Sequence, residues 1–254
     1  MKKTLTLALM LSTALTFGAA GAGQALDLSN LTEDERNAFR DEIRAYLLDN
    51  PEVLMEAIGV LEERQAQQQV ALDQDLVKVN AKALFEDGYS HVAGNPDGDI
   101  TIVEFVDYQC GYCRKSYDVV QELLEKDGNI KLILKEFPIL SDASMLSARF
   151  AISGQQLFGE EAYATLHDAL ITKRGAVTVD SLIEMGNELG LDGQAIADGM
   201  DATVVDAILA DNRTLGQRLQ ISGTPAFVMH DDMARGYMPL EQMEQIIAAK
   251  RNES

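Results

Sequence analysis

The only two cysteines of the 254-residue chain, Cys110 and Cys113, are separated by two residues. A cysteine attacks as the thiolate, which a helix N-terminus stabilises through its unpaired backbone N–H groups and its dipole. An apolar, β-rich run, Ile100–Val106, leads into the pair, and a helical pattern over residues 112–126 follows it. We therefore expect thiol–disulfide exchange, with Cys110 as the exposed attacking thiol and Cys113 as the more buried resolving thiol one turn later.

Two other interpretations of this pair remain open. A structural zinc site needs four ligands, but there is no second pair of this kind and the three histidines, His91, His167 and His230, are scattered. A permanent structural disulfide would close so small a loop that it would constrain little of the unfolded chain. Redox activity fits best, and we expect neither a cofactor nor a resident metal ion.

The first 25 residues have the three-part layout of a secretory signal peptide. Lys2 and Lys3 precede an apolar run over residues 5–17, which is short against the roughly 20 residues that span a bilayer. Small residues then predict cleavage after Ala25, with a cut after Ala22 or an uncleaved membrane anchor as the alternatives. The mature protein is expected in a bacterial periplasm, where thiols can be oxidised.

The charge of the chain is strongly negative. There are 41 acidic and 21 basic side chains, which give a formal net charge of −20. Such a surface repels phosphate backbones, so we expect no nucleic-acid partner. The proportions of hydrophobic and charged residues, 46% and 24%, are those of a folded globular protein.

Residues 26–88 form a zone that is predicted to be almost wholly helical. Thr32 and Glu35 form a capping box, and Asn50 caps a second helix that runs to about Phe85. A heptad-like seam follows in this helix, at Leu54, Ile58, Leu61, Gln65, Gln68, Leu72, Asp75 and Val79. A long polar helix favours self-association, so we expect a homo-oligomer through residues 26–88; a solvated linker helix is the alternative.

Residues 89–254 have the alternating pattern of an α/β domain. Strands are predicted at residues 89–93, Ile100–Val106, 130–137, Ala226–Met229 and 234–238. Pro239 begins a last helix over residues 240–250. A mostly helical insert at about 144–219 separates the third strand from the fourth, so a βαβ start and a ββα end flank it.

Three features of this zone resemble DsbA-type thiol–disulfide oxidoreductases. Residues 102–113 resemble the active-site segment, residues 223–227 resemble the cis-proline loop that faces it, and the final ββα unit completes the set. The resemblance covers about residues 89–250 and implies a thioredoxin fold with an inserted helical domain. Residues 26–88 resemble the stalk of ScsC-like proteins, which are oligomeric disulfide isomerases linked to copper tolerance.

The resemblance assigns roles to individual residues. Cys110 would be the nucleophile and Cys113 the resolving thiol. Gly111 and Tyr112, which lie between them, would contact the substrate. Thr224 and Pro225 would form a cis peptide beside Cys110 that leaves the neighbouring backbone free to pair with an extended substrate.

Glu104 precedes Cys110 by six residues, on the predicted strand beneath the site. In the family an acidic residue at this position is buried and shuttles the proton of the resolving cysteine, since a semi-buried carboxylate can act as a base near neutral pH. The alternative is an exposed glutamate on an edge strand. Lys135, on the next predicted strand, is a candidate charge partner of Glu104.

The direction of the reaction is predicted from the residues around the cysteines. Gly111–Tyr112 and the Thr224 that precedes Pro225 resemble disulfide isomerases, whereas strong oxidants of the family more often carry Pro-His and Val there. Without that histidine one thiolate-stabilising donor is missing, which makes the disulfide less oxidising. We expect an isomerase or reductase that acts on unfolded or misoxidised envelope proteins and is kept reduced by a membrane thiol reductase. A DsbA-like dithiol oxidase is the alternative.

A cluster of soft ligands suggests an alternative of another class. Met229, His230, Met233, Met238 and Met243 lie close together in the sequence, and thioethers, imidazole and thiolates suit Cu(I). The reduced cysteine pair could also bind Cu(I), so a copper-tolerance protein that binds this ion is possible. Methionine also fills irregular gaps in cores, and packing is the preferred interpretation of the cluster.

Overall fold

The computed structural model describes residues 30–253, so the predicted signal peptide and its cleavage sites lie outside the described residues. Within this part of the chain, no helix combines the length and hydropathy that a membrane span requires. The chain divides into two compact units, Met1–Leu61 and Glu62–Ser254.

The first unit contains helix α1, Glu33–Asp49, and the start of helix α2, Glu52–Val79. The predicted capping box is confirmed: the Glu35 amide donates to Thr32 Oγ1 at 3.4 Å and the Thr32 amide donates to Glu35 Oε2 at 2.9 Å. None of the α1 residues, all of them described, is buried. The α2 residues of this unit expose several large apolar side chains, namely those of Leu54, Met55, Ile58, Val60 and Leu61.

The second unit begins inside α2 and therefore earlier than residue 88. The predicted continuous helix to Phe85 is interrupted at Asn80, whose side-chain amide bonds to the carbonyl of Leu76 at 2.8 Å, and helix α3, Ala81–Phe85, follows. Val77 and Leu84 are buried in the core of this unit. The seam positions Leu72, Asp75 and Val79 are exposed, because a different face of α2, with Asp73 and Val77, packs on the domain.

A five-stranded sheet forms the centre of the second unit, in the order β1-β3-β2-β4-β5. Strands β2 and β3 are parallel and the other pairs are antiparallel. The strands are β1 His91–Gly94, β2 Ile100–Val106, β3 Ile130–Glu136, β4 Ala226–Met229 and β5 Asp232–Arg235. The fifth strand lies two residues earlier than predicted, because a two-residue turn with His230 at φ 59° joins it directly to β4.

Seven helices complete the second unit. They are α4 Gly111–Asp127, α5 Asp142–Phe158, α6 Glu160–Thr172, α7 Val179–Glu188, α8 Gly193–Gly199, α9 Thr203–Arg218 and α10 Leu240–Glu253. Helices α5–α9 form the helical insert, between β3 and β4, where the sequence predicts it.

Both faces of the sheet are buried. Successive residues of a strand point to opposite faces, so Ile102 packs with residues of α4, α6 and α10, whereas Val103 packs with residues of α2, α3 and α9. Strands covered on both sides are continuously apolar, and β2 and β3 largely follow this rule. The charged residues are the exceptions: Glu104, Lys135 and Glu136 are buried, and Lys131 is half-buried.

Candidate active site

Cys110 lies at the junction of a buried strand and a helix. Strand β2 ends at Val106, and the amide of Cys110 donates to the carbonyl of Asp107 at 3.0 Å, which closes a tight turn. Cys110 then serves as the extended N-cap residue of α4. The thiol is thus placed at the helix N-terminus that the sequence predicts.

The sheet topology brings the loop before β4 to the end of the sheet where Cys110 lies. Strands β2 and β4 are antiparallel, with Phe105 opposite Ala226, so the residues before Ala226 lie beside those that follow β2. The Thr224–Pro225 peptide bond is cis. The Cys110 thiol donates to the carbonyl oxygen of Thr224 at 3.1 Å. Residues 114 positions apart in sequence therefore form one site.

The two thiols differ in burial, as predicted, but less than expected. Cys113 is 1% exposed and Cys110 is 7% exposed, so the expectation of an openly exposed Cys110 is wrong. The Thr224 carbonyl oxygen contacts its sulfur atom. Burial raises the pKa of the Cys113 thiol well above its usual value, and a negative charge on Glu104 raises it further. Deprotonation of Cys113 therefore requires a base.

Glu104 lies in the interior, on the central strand β2 between β3 and β4, and is 5% exposed. The alternative of an exposed edge-strand glutamate is therefore wrong. Burial raises the pKa of its carboxyl to about 8. Glu104 and Cys113 line one cavity of about 160 Å³, here called the Glu104 cavity. A carboxylate with such a pKa beside a buried thiol can exchange a proton with it near neutral pH.

Lys135 does not pair with Glu104, so that prediction is wrong. In the parallel ladder Glu104 lies opposite Leu134, and Lys135 lies opposite Phe105, so the lysine points to the other face of the sheet. There its ammonium group donates to Asp87 Oδ2 at 2.5 Å and to Ser90 Oγ at 3.2 Å.

Asp107 is a site residue for which the sequence predicts no role. Its buried carboxylate accepts hydrogen bonds from the amides of Gln109 at 2.8 Å, Ile139 at 2.9 Å and Leu140 at 3.1 Å. It thereby ties the loop after β3 to the turn that carries Cys110. An acidic residue in the turn directly before the cysteine pair is the only sign of this role in the sequence.

An aromatic surface borders the cysteine pair on its solvent side. The ring of Tyr112 is 63% exposed and its centroid lies 6.4 Å from that of Tyr237. The ammonium group of Lys115 lies 3.9 Å from the Tyr237 centroid, a cation–π contact. A Cβ added at Gly111 would meet no atom within 4 Å. Tyr237 is a part of this surface for which the sequence predicts no role.

Two family models match this chain. The model described as Thioredoxin matches residues 86–249, which is more than half of the chain. The model described as Copper resistance protein ScsC N-terminal domain matches residues 35–68. The chain is a ScsC-like, DsbA-type member of the thioredoxin family. Its sheet and helical insert form the thioredoxin fold that the resemblance implies.

Solved structures agree with this assignment. A thioredoxin-like oxidoreductase from Silicibacter pomeroyi DSS-3 is 36% identical and covers 67% of this chain and 97% of its own, with a TM-score of 0.63. Proteus mirabilis ScsC in a compact conformation is 25% identical and covers 85% of this chain and 98% of its own, with a TM-score of 0.62.

The curated relatives are much longer proteins. The Na(+)/H(+) antiporter NhaA 1 of Salinispora arenicola is 23% identical over 159 residues, which are 63% of this chain and 24% of the antiporter. The chain therefore spans about a quarter of the length of the curated relatives it matches.

A buried network of hydrogen bonds supports the turn that precedes Cys110 in this thioredoxin-family site. Glu136 Oε1 accepts hydrogen bonds from the Tyr108 hydroxyl at 2.5 Å and the Tyr163 hydroxyl at 2.7 Å. His167 Nδ1 lies 3.0 Å from the Tyr108 hydroxyl, and Arg114 Nε donates to the Tyr108 carbonyl at 3.0 Å. Burial raises the pKa of Glu136 to about 8 and lowers that of His167 to about 3. The network holds Tyr108, two residues before Cys110, and was not predicted.

The methionine cluster is divided between the two faces of the sheet. Met229 and Met243 are buried in the core that also contains the two cysteines, whereas Met233 packs against the core of the opposite face. His230 is exposed. Among the described residues, no group of three histidine, cysteine or acidic side chains is arranged to hold a metal ion.

Proposed function

We propose that the protein is an exported thiol–disulfide oxidoreductase that reshuffles wrong disulfides in envelope proteins. The observation that carries this proposal is the 3.1 Å contact between the Cys110 sulfur at the start of α4 and the Thr224 carbonyl at the cis-proline loop. It places a nucleophile beside backbone groups with which an extended peptide can pair. Export to the periplasm rests on the predicted signal peptide.

In this mechanism the Cys110 thiolate attacks one sulfur of a substrate disulfide. A mixed disulfide forms, and the other substrate sulfur leaves as a thiolate that takes a proton from solvent. If a second substrate thiolate attacks the mixed disulfide, the substrate is reshuffled and the Cys110 thiolate is regenerated. If Cys113 attacks instead, the substrate leaves reduced and the Cys110–Cys113 disulfide must be reduced by a membrane partner.

Glu104 acts in the second of these routes, in which Cys113 attacks the mixed disulfide. The Cys113 thiol must lose its proton before it attacks, and its burial opposes the charge. Glu104 lines the same cavity, and its raised pKa lets its carboxylate take up that proton near neutral pH. Glu104 is therefore the proposed base of the resolving step.

The helices before the domain are the proposed oligomerisation segment, within residues 26–88. The match to the ScsC N-terminal model at residues 35–68 supports this, as do the exposed apolar side chains of α2. We expect that Ile58→Asp in the full chain lowers the mass measured by light scattering to that of the monomer. Ala66→Asp, off the predicted seam, is the matched control, and an unchanged oligomer in Ile58→Asp would reject the segment.

The decisive experiment is recovery of ribonuclease activity from scrambled, fully oxidised ribonuclease in a mild glutathione buffer. We expect the mature protein to restore activity well above the buffer control and Cys110→Ser to restore none. Fast oxidation of reduced ribonuclease without any unscrambling would instead mean a DsbA-like oxidase. Failure in both assays would reject the enzymatic proposal and favour Cu(I) binding by the cysteine pair.

A further inference from the structure

The Glu104 cavity connects the resolving thiol to the outside of the domain. It lies between the sheet and helices α4 and α6, and Glu104 and Cys113 line it. Asp168 of α6 also lines it and is exposed. Cys110 does not line the cavity. The buried carboxyl therefore has a way to solvent on the side of the helical insert, away from the surface where a substrate binds.

The groups that line this cavity offer Glu104 no lysine or arginine among the described residues, and the His91 ring is already paired with Glu160 Oε2 at 2.6 Å. Its titratable groups besides Glu104 come from three elements, as His91 of β1, Cys113 and Tyr117 of α4, and His167 and Asp168 of α6. Burial, helped by the neighbouring His91, lowers the pKa of His167 to about 3, so that ring stays neutral. The negative charge of Glu104 is therefore neutralised by uptake of a proton, and not by an ion pair with lysine or arginine.

The cavity has the size and polarity to hold water. A site needs on the order of 10–15 Å³ and two to four polar partners per water molecule, and this one offers about 160 Å³. At its outer end the Tyr117 hydroxyl donates to Asp168 Oδ1 at 2.7 Å, which joins α4 to α6. Gln121 of α4 adds a further polar side chain to the lining. Polar side chains are therefore present at the buried end of the cavity, with Glu104, and at its outer end, with Tyr117 and Asp168.

We propose that the Glu104 cavity is the exit path for the proton of the resolving thiol, with Tyr117 and Asp168 as positioning residues at its outer end. The proposal rests on the proposed role of Glu104. Cys113 passes its proton to Glu104 in its ionised carboxylate form, and its sulfur attacks Cys110 Sγ. The Cys110–Cys113 bond forms, the bond to the substrate sulfur breaks, and the substrate thiolate takes a proton from solvent. Glu104 then releases its proton through cavity water past Asp168.

Single-turnover resolution tests this path. The full-length reduced protein is mixed with oxidised glutathione in weak buffer, and the release of the second glutathione reports attack by Cys113. We expect Asp168→Asn to slow that step about 10-fold, which is less than the roughly 100-fold or more of a direct acid or base because Asp168 acts at the outer end, and Tyr117→Phe to slow it less. Glu161→Gln removes the same charge from α6 at a residue that does not line the cavity, so it should resolve at the wild-type rate.

Chemical rescue separates a proton path from a merely structural effect. Asp168 is exposed, so acetate added to Asp168→Ala should restore the rate, whereas Glu104→Gln should stay slow because its site is buried. Wild-type rates in both Asp168→Asn and Tyr117→Phe, with a slow Glu104→Gln, would overturn the exit path and leave the role of Glu104 intact. A wild-type rate in Glu104→Gln would reject that role and the path together.

Discussion

The surroundings of a buried charged residue differ between the two faces of the central sheet. On one face Lys135 meets Asp87 and Ser90, so its charge is paired. On the other face Glu104 lines a cavity that contains no lysine or arginine among the described residues, and burial raises the pKa of its carboxyl to about 8. Glu104 and Lys135 lie on neighbouring strands, and their positions in the strand pairing differ by one residue. The paired charge supports the fold, whereas the unpaired one is available to exchange a proton.

The largest expected effect is on the Glu104 face, at the cysteines. Cys110→Ser removes the nucleophile, so disulfide exchange should fall to the uncatalysed rate while the fold is kept. Cys113→Ser should instead accumulate mixed disulfides with substrate proteins, because the attack by Cys113 is lost and only a second substrate thiolate can release them. Non-reducing gels measure the adducts; turnover in Cys110→Ser or a gel without adducts for Cys113→Ser would contradict the assigned roles.

The next largest effect should come from the paired face. Lys135→Met leaves Asp87 buried without its cation, and breaking a buried pair costs about 3–5 kcal/mol. Burial acts to raise the pKa of Asp87, but hydrogen bonds from Lys135 and Ser90 hold that pKa below its usual value. Denaturant unfolding measures the loss, and adding Asp87→Asn should recover part of it. The resolution rate of the folded protein should not change; a slowed step would make Lys135 part of the site.

A smaller effect of opposite sign is expected at Glu104. A carboxyl whose pKa is raised in the folded state contributes stability below its unfolded pKa and loses it as pH rises through about 8. Glu104→Gln removes this loss, so it should gain on the order of 2 kcal/mol over wild type at about pH 8–9 and much less at acidic pH. Thermal unfolding at a series of pH values measures the difference. A constant difference at all pH values would show that Glu104 is not held neutral by burial.

The smallest effect is expected at Asp107, at the edge of the site. Asp107→Asn weakens the hydrogen bonds to the Ile139 and Leu140 amides, so the neighbouring loop should be held less firmly. We expect KM for a protein disulfide to rise about threefold to tenfold, with kcat and the reaction with small thiols unchanged. The exposed Asp118→Asn on α4 is the control. Equal loss with small thiols would mean that Asp107 acts on the cysteines themselves.

Much of the site could be predicted because its chemistry is local in sequence. The cysteine pair, the strand before it and the helix after it lie within residues 100–127, and a strand–helix junction places a thiol at a helix N-terminus wherever it occurs. The capping box at Thr32 and the position of the helical insert are local in the same way. The cis-proline loop was placed by resemblance, because its distance from Cys110 along the chain hides the contact.

What the sequence alone determined is thus the identity of the reactive groups and the order of the elements that carry them. The tertiary structure decided which groups meet. The register of β2 against β3 turned Lys135 away from Glu104, and packing on the domain buried the α2 face that carries Asp73 and Val77. The fold also assembled the Glu104 cavity from β1, β2, β3, α4 and α6. The physical reason is that a strand or helix pattern shows which faces can be buried, whereas the partner of each face depends on pairing between distant segments.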